Sequence, residues 1–121
     1  MNYVDGFVFA VPAANKERFR AMAQRIAEVF TDHGALRVVE NWGDDVPTGE
    51  QTWFARAVDL QQGEIVCFSW IEWPSRAARD KGNQALAADP RMRTIPEDEK
   101  DIMDPKRMIF GGFAPLVDRR G

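Results

Sequence analysis

The chain is poor in the residues that most often announce chemistry, with one cysteine, Cys67, and one histidine, His33, among its 121 residues. A single cysteine excludes an internal disulfide and a dithiol redox pair. One Cys and one His also fall short of the several such ligands a closed zinc site takes, so no metal is expected. There is no glycine-rich phosphate loop: Gly111-Gly112 lies inside a strand-like run with no helix after it, so no nucleotide cofactor is implied. No apolar stretch approaches the roughly 20 residues of a spanning helix, and Met1-Asn2-Tyr3-Val4-Asp5-Gly6 lacks a basic region followed by an apolar run. No membrane segment or export signal is expected. Cys67, in an apolar setting, reads as a small buried hydrophobe in a reducing compartment, the cytoplasm. A net charge of −3 argues against affinity for phosphate backbones, so nucleic acid is not an expected partner.

What is present is ordinary for a globular protein: 45% hydrophobic and 29% charged residues, in a length that suits one core. A single domain over 1–121 is expected. Tyr3 to Val11, rich in Val and Phe and followed by Pro12, reads as a strand. Asn15 is placed to cap a helix in which Phe19, Met22, Ala23, Ile26 and Phe30 recur at helical spacing until His33-Gly34. Ala35 to Trp42 reads as a second strand, and Gly43 to Gly49 as a turn cluster. Thr52 to Leu60 is expected to be extended and joined by a tight Gln61–Glu64 hairpin to Ile65–Trp73, the most strand-like run. Pro74 stops that strand, Ser75 caps an alanine-rich helix ending at Asp89-Pro90, and Ala78, Gly82 and Ala85 suit close approach to a sheet. Arg91 to Pro105 is irregular, with one helical turn after Pro96. Arg107 to Val117 closes the chain as a strand in which Gly111-Gly112 marks a bulge or a close neighbour.

This is the split βαβ order, βαββαβ, which predicts an α+β, ferredoxin-like domain with an antiparallel sheet and both helices on one face. The other face has no cover. A face in contact with water should alternate apolar and polar residues, but Ile65–Trp73 carries Ile65, Cys67, Ile71 and Trp73 on one side and Val66, Phe68 and Trp70 on the other. A second copy packed sheet to sheet meets the need, so a homodimer is predicted. The alternative is a monomer whose Arg91–Pro105 segment folds over the open face.

Tyr3-Val4-Asp5-Gly6-Phe7, Gly43-Asp44-Asp45-Val46-Pro47, Phe68-Ser69-Trp70-Ile71, Asp89-Pro90-Arg91-Met92 and Lys106-Arg107-Met108-Ile109-Phe110-Gly111-Gly112-Phe113 stand in an order that resembles the YbaA-like family of uncharacterised bacterial proteins. The likeness spans nearly the whole chain. That family is grouped with the dimeric α/β barrels, so the resemblance implies the same dimeric, ferredoxin-like fold and no particular reaction. Similar proteins often carry a cysteine after the glutamate matching Glu40. Here that position is Asn41, and no thiol role is carried over.

The candidate site residues are polar side chains set into apolar strands, where a carboxylate without a partner is costly. Asp5, Glu40, Ser69 and Glu72 are the four, with Arg56 and Arg107 as expected partners, in structural ion pairs or as the lining of a cavity. Glu40, Ser69 and Arg56 are the catalytic candidates, joined by His33, the one side chain that ordinarily titrates near neutrality. His33 also falls in the last turn of its helix, where a cation offsets the dipole. Trp70, Glu72, Asp5 and Arg107 are the ligand-binding candidates. Trp42, Trp53, Trp70 and Trp73 are either pocket walls or core. Asp44 and Asp45 are too few oxygens for calcium and fit a backbone-bonding turn. Two functions follow. One is a cytoplasmic homodimer binding a small organic molecule, with cofactor-free oxygenation or isomerisation among the reactions that the resemblance allows. The other is a non-catalytic dimeric module whose polar strand residues only fix pairing.

Overall fold

The structure, a computed structural model, describes residues 2–121. Tyr3–Pro12 forms β1, whose Val and Phe side chains suit a pleated surface. A 3₁₀ turn, Ala13–Asn15, then leads into α1, Lys16–Asp32. Asn15 occupies the cap position but makes no side-chain cap bond. Entry from a 3₁₀ turn leaves it at φ −96°, ψ 11°, not in the extended backbone that such a cap uses. Its amide donates instead to the Ile102 carbonyl at 3.0 Å. Gly34, at φ +103°, closes α1 where a side chain would be strained.

β2 is Arg37–Trp42, slightly shorter than expected. The segment expected to be extended, Thr52 to Leu60, instead holds a short helix, α2, Phe54–Ala57. The reason is spacing: Ala55 and Val58, three apart, turn together onto Val8, Ala10 and Val66 at one end of the open sheet face. No Gln61–Glu64 hairpin therefore forms. That turn feeds β3, Glu64–Trp73, whose antiparallel neighbours are β2 and β1. Ser75 caps α3, Arg76–Ala88, by accepting from the Ala78 N–H at 3.1 Å. Pro90 ends that helix and opens another, α4, Pro90–Arg93, capped by Asp89. A 3₁₀ turn, Glu97–Glu99, follows Pro96 as expected. β4 is only Ile109–Phe113, because Arg107 is held in a 3₁₀ turn before it and Pro115 cannot continue the ladder.

The sheet order is β2-β3-β1-β4, with every pair antiparallel and α1 and α3 on one face, the ferredoxin-like arrangement of an α+β protein. Gly111 and Gly112 stay in continuous register with Gly6 and Asp5, so there is no bulge. Of the two expectations, the close neighbour is the one that holds: a Cβ on Gly112 would strike the Tyr3 hydroxyl and lie 2.8 Å from Arg79 Nη2.

Under the helices lie two core clusters, one around Phe9, Val11, Phe19, Cys67 and Ile102, the other around Val29, Ile71, Trp73 and Leu86. Gly82 of α3 sits against the Trp73 ring, whose Cη2 would be 2.6 Å from an added Cβ. Residues 91–105 do not cross the open face. They run along α1 on the helix side of the sheet, with Arg25 clasping Glu99 at 2.5 and 2.9 Å, Arg18 donating to the Asp98 carbonyl at 2.6 Å and Ile102 entering the core. The monomer closed by this segment is therefore not what forms. Among the described residues no helix is long and apolar enough to cross a membrane.

Candidate functional site

Most of the polar strand residues turn out to be tied into the scaffold. Asp5, nearly fully buried on the helix face, accepts from the Trp73 indole N–H at 3.0 Å and faces Arg79 of α3 at 3.7 Å. Burial raises its pKa, while Arg79 and the Trp73 bond pull the other way. Glu72 points to the open face, accepting from the Trp70 indole at 3.0 Å and pairing with Arg37 at 3.7 Å. Arg107 grips Glu64 with bonds of 2.6 and 2.7 Å and reaches the Asp59 carbonyl at 2.9 Å. Its guanidinium holds the Glu64 carboxyl below its ordinary range. Neither Arg56 nor Arg107 pairs with Asp5, Glu40 or Glu72; Arg79 and Arg37 take those roles. Which residue of α3 overhangs β1 depends on helix docking, which the strand pattern does not encode.

His33 and Arg56 are placed away from the other candidates. The His33 Nε2 lies 2.8 Å from an Asp89 oxygen, in a cluster where Arg91 binds both Asp89 and Asp32 at 2.8 Å. These contacts tie the end of α1 to the start of α4, and they hold the Asp89 carboxyl far below its ordinary range, chiefly through Arg91. Arg56 lies on α2, across the sheet from Glu40, stacked over Trp53 and donating to the Gln51 carbonyl.

Glu40 and Ser69, by contrast, are brought together: they are register partners on β2 and β3, on the helix face. Glu40 lies in a pocket of about 290 Å³ between α1 and β2. Phe19, Ala23, Ala27, Val38 and Trp42 form its apolar wall, and Lys16 and Arg20 stand at its mouth. Gln24 and Asn41 complete the lining, and Glu40 itself is exposed to water at this edge of the sheet while its carboxyl lies beside the apolar wall. Desolvation pushes its pKa up to about 7, against a smaller opposing effect of the Ser69 hydroxyl bond. No arginine neutralises it. The neighbouring Cys67 thiol, fully buried, is pushed up to about 12 by burial and by the Glu40 charge, which leaves it inert.

The pocket exists because α1 presents small residues, Ala23 and Ala27, to the edge strand. The stripe legible in the sequence was Phe19, Met22, Ala23, Ile26 and Phe30, and nothing local to α1 tells which strand it overhangs. Trp42, read as wall or core, lines the pocket and also packs against the Phe9 cluster; Phe19, 6.4 Å from it ring to ring, and Lys16 were not foreseen as lining. A second concave region, about 590 Å³, lies on the open face among Val4, Val8, Phe68, Trp70, Ile109 and Phe113. It is a shallow apolar floor, with Glu72 its one ionisable side chain.

Comparison with known proteins places this geometry. Among solved structures, a NIPSNAP domain protein from Burkholderia xenovorans aligns with a TM-score of 0.60 at 13% identity, over 98% of this chain and 99% of that one. A dimeric ferredoxin-like protein from an uncultured marine organism aligns with a TM-score of 0.57 at 13% identity, over 99% and 98%. At such identities the likeness is one of fold. In sequence, the chain is 50% identical over 118 residues to "Uncharacterized protein YbaA" of Escherichia coli K12, covering 98% of this chain and 99% of that protein. The model of the family described as "Protein of unknown function (DUF1428)" matches residues 2–105, and the chain belongs to that family.

Proposed function

We propose that the protein is a cytoplasmic homodimer of single-domain subunits that binds a small organic molecule in the pocket between α1 and β2, with Glu40 as the group that exchanges a proton with it. One observation carries this reading: Glu40, exposed at the edge of the pocket, makes no ion pair among the described residues, while the strand carboxylates Asp5, Glu64 and Glu72 are each paired. A carboxyl that titrates near 7 exists in both forms at neutral pH, which is what a general base or acid requires. The reaction it supports alone is isomerisation: the carboxylate takes a proton from an acidic C–H or O–H and returns it to a neighbouring atom of the same molecule. Nothing else is consumed.

The dimer is supported by the open face. Phe68 is 42% and Phe113 62% exposed, beside half-buried Val4 and Trp70. A patch of this kind on a monomer normally marks a contact surface. An interface of about 1,600 Å², at least half apolar, gains roughly 20 kcal/mol, against association costs of about 4–15 kcal/mol. The non-catalytic reading draws on a different observation, that Asp5, Glu72, Arg107 and His33 all serve as struts. Native mass spectrometry of protein from its own host separates the two. A doubled subunit mass carrying a small adduct, lost in Trp42→Ala, is expected. A bare dimer would leave only the structural module, and a monomer at all concentrations would end the assembly reading.

A further inference from the structure

The pocket carries its two cations, Lys16 and Arg20, toward one end. α1 and β2 run in opposite directions, so the start of α1 meets the end of β2, where Lys16 Nζ stands 5.3 Å from the centroid of the Trp42 ring. Among the described residues, Lys16 makes no ion pair, and Arg20 beside it is held only by an exposed contact to Glu17 at 2.9 Å. Exposed pairs of this kind are weak and readily exchanged. Glu40 is two residues back along β2, about 7 Å from Trp42 at the usual strand rise. Beyond it lie Val38 and Ala27, with the amide of Gln24 also in the lining. Phe19 and Trp42 form an aromatic wall along the charged end.

We infer that the ligand is a small, flat carboxylic acid: its carboxylate lies at Lys16 and Arg20, its conjugated or aromatic body against Phe19 and Trp42, and a hydroxyl or carbonyl about 7 Å along meets Glu40. One end of such a molecule meets Lys16 and the other meets Glu40, neither of which makes an ion pair among the described residues. The pocket volume, just below the range of about 300–1,000 Å³ for drug-sized ligands, admits a single ring or a short conjugated chain. The inference rests on the proposed binding role of this pocket and adds the class of molecule.

Proton uptake is its signature. The charged or titratable groups facing Glu40 are Lys16 and Arg20 of α1, the latter with its partner Glu17, and Cys67 of β3. Protonated Glu40 donates a hydrogen bond to the ligand, whereas ionised Glu40 repels an anion. Affinity therefore falls as pH rises through the neutral range.

The test is calorimetric titration with 4-hydroxybenzoate, benzoate and 4-cresol across about pH 6–8, where carboxylates near 4 and phenols near 10 do not themselves titrate. 4-Hydroxybenzoate should bind most tightly, the two molecules lacking one end about tenfold more weakly, and Lys16→Ala should cost 4-hydroxybenzoate about tenfold. Wild-type affinity should fall with pH, and that of Glu40→Gln should stay flat. Equal binding of 4-cresol and 4-hydroxybenzoate, unchanged affinity in Lys16→Ala, or no binding of any of the three would overturn the inferred class. A retained host ligand of other chemistry would overturn the class and leave the binding role standing; absence of any ligand would overturn the binding role itself.

Discussion

At the scale of single residues, Glu40 links stability to pH in a direction opposite to the usual carboxylate. Its folded value, about 7, lies above the ordinary 4.5, so the folded state holds this proton more tightly than the unfolded chain does. The resulting stability is fully present below about 4.5 and is lost as pH rises through about 7. Glu40→Gln removes the group that ionises. Thermal melts should therefore show the variant gaining on wild type as pH rises from about 4.5 to about 7, and parallel pH profiles would refute the raised value. That Asp5, Glu40 and Glu72 stood out was legible in the sequence, because a carboxylate among apolar neighbours is visible in one strand. Their partners were not. Arg79 and Arg37 come from elements whose placement over the sheet is a three-dimensional fact.

Among the elements, those with strong local signals match the sequence reading. Ser75 caps α3, Gly34 closes α1 and Pro12 ends β1, each for a reason that resides in one or two residues. α2 escaped because four residues carry too little periodicity, and its apolar side chains read equally well as a strand. The 91–105 strap escaped for another reason: it is fixed by distant partners, Arg25 and Arg18 on α1, and by Ile102, which enters the core beside Phe9, Phe19 and Cys67. Ile102 is 1% exposed, so truncation to Ala should leave a cavity and cost about 2–4 kcal/mol, read as a lower urea midpoint with little change in slope. A loss below about 0.5 kcal/mol, typical of surface positions, would mean that the strap is only draped over α1. Loosening it should also disturb the mouth of the pocket, since Asn15, one residue before Lys16, donates to the Ile102 carbonyl.

For the whole molecule, the decisive feature is the asymmetry of the sheet. One face is closed by α1, α3 and the strap; the other is covered only at the end where Val58 packs on Val8, Ala10 and Val66. The strand pattern announced this directly, since Phe68 and Trp70 are large apolar groups on the side opposite Cys67 and Ile71. What the pattern left open was whether residues 91–105 or a second copy would cover them, and the strap lies on the other side. Phe68→Asp combined with Phe113→Asp places two carboxylates on that face without touching the helix-side core. In a homodimer joined there, the substitutions bury like charges against each other, and breaking such an interface costs several kcal/mol. Sedimentation should then show wild type as a dimer and the variant as a monomer with unchanged helical circular dichroism. The wild-type Tm should also rise with protein concentration while the variant's stays constant, because association stabilises by mass action. Were both chains to sediment alike, the second copy would have to lie elsewhere, and Phe68 and Phe113 would face a different partner.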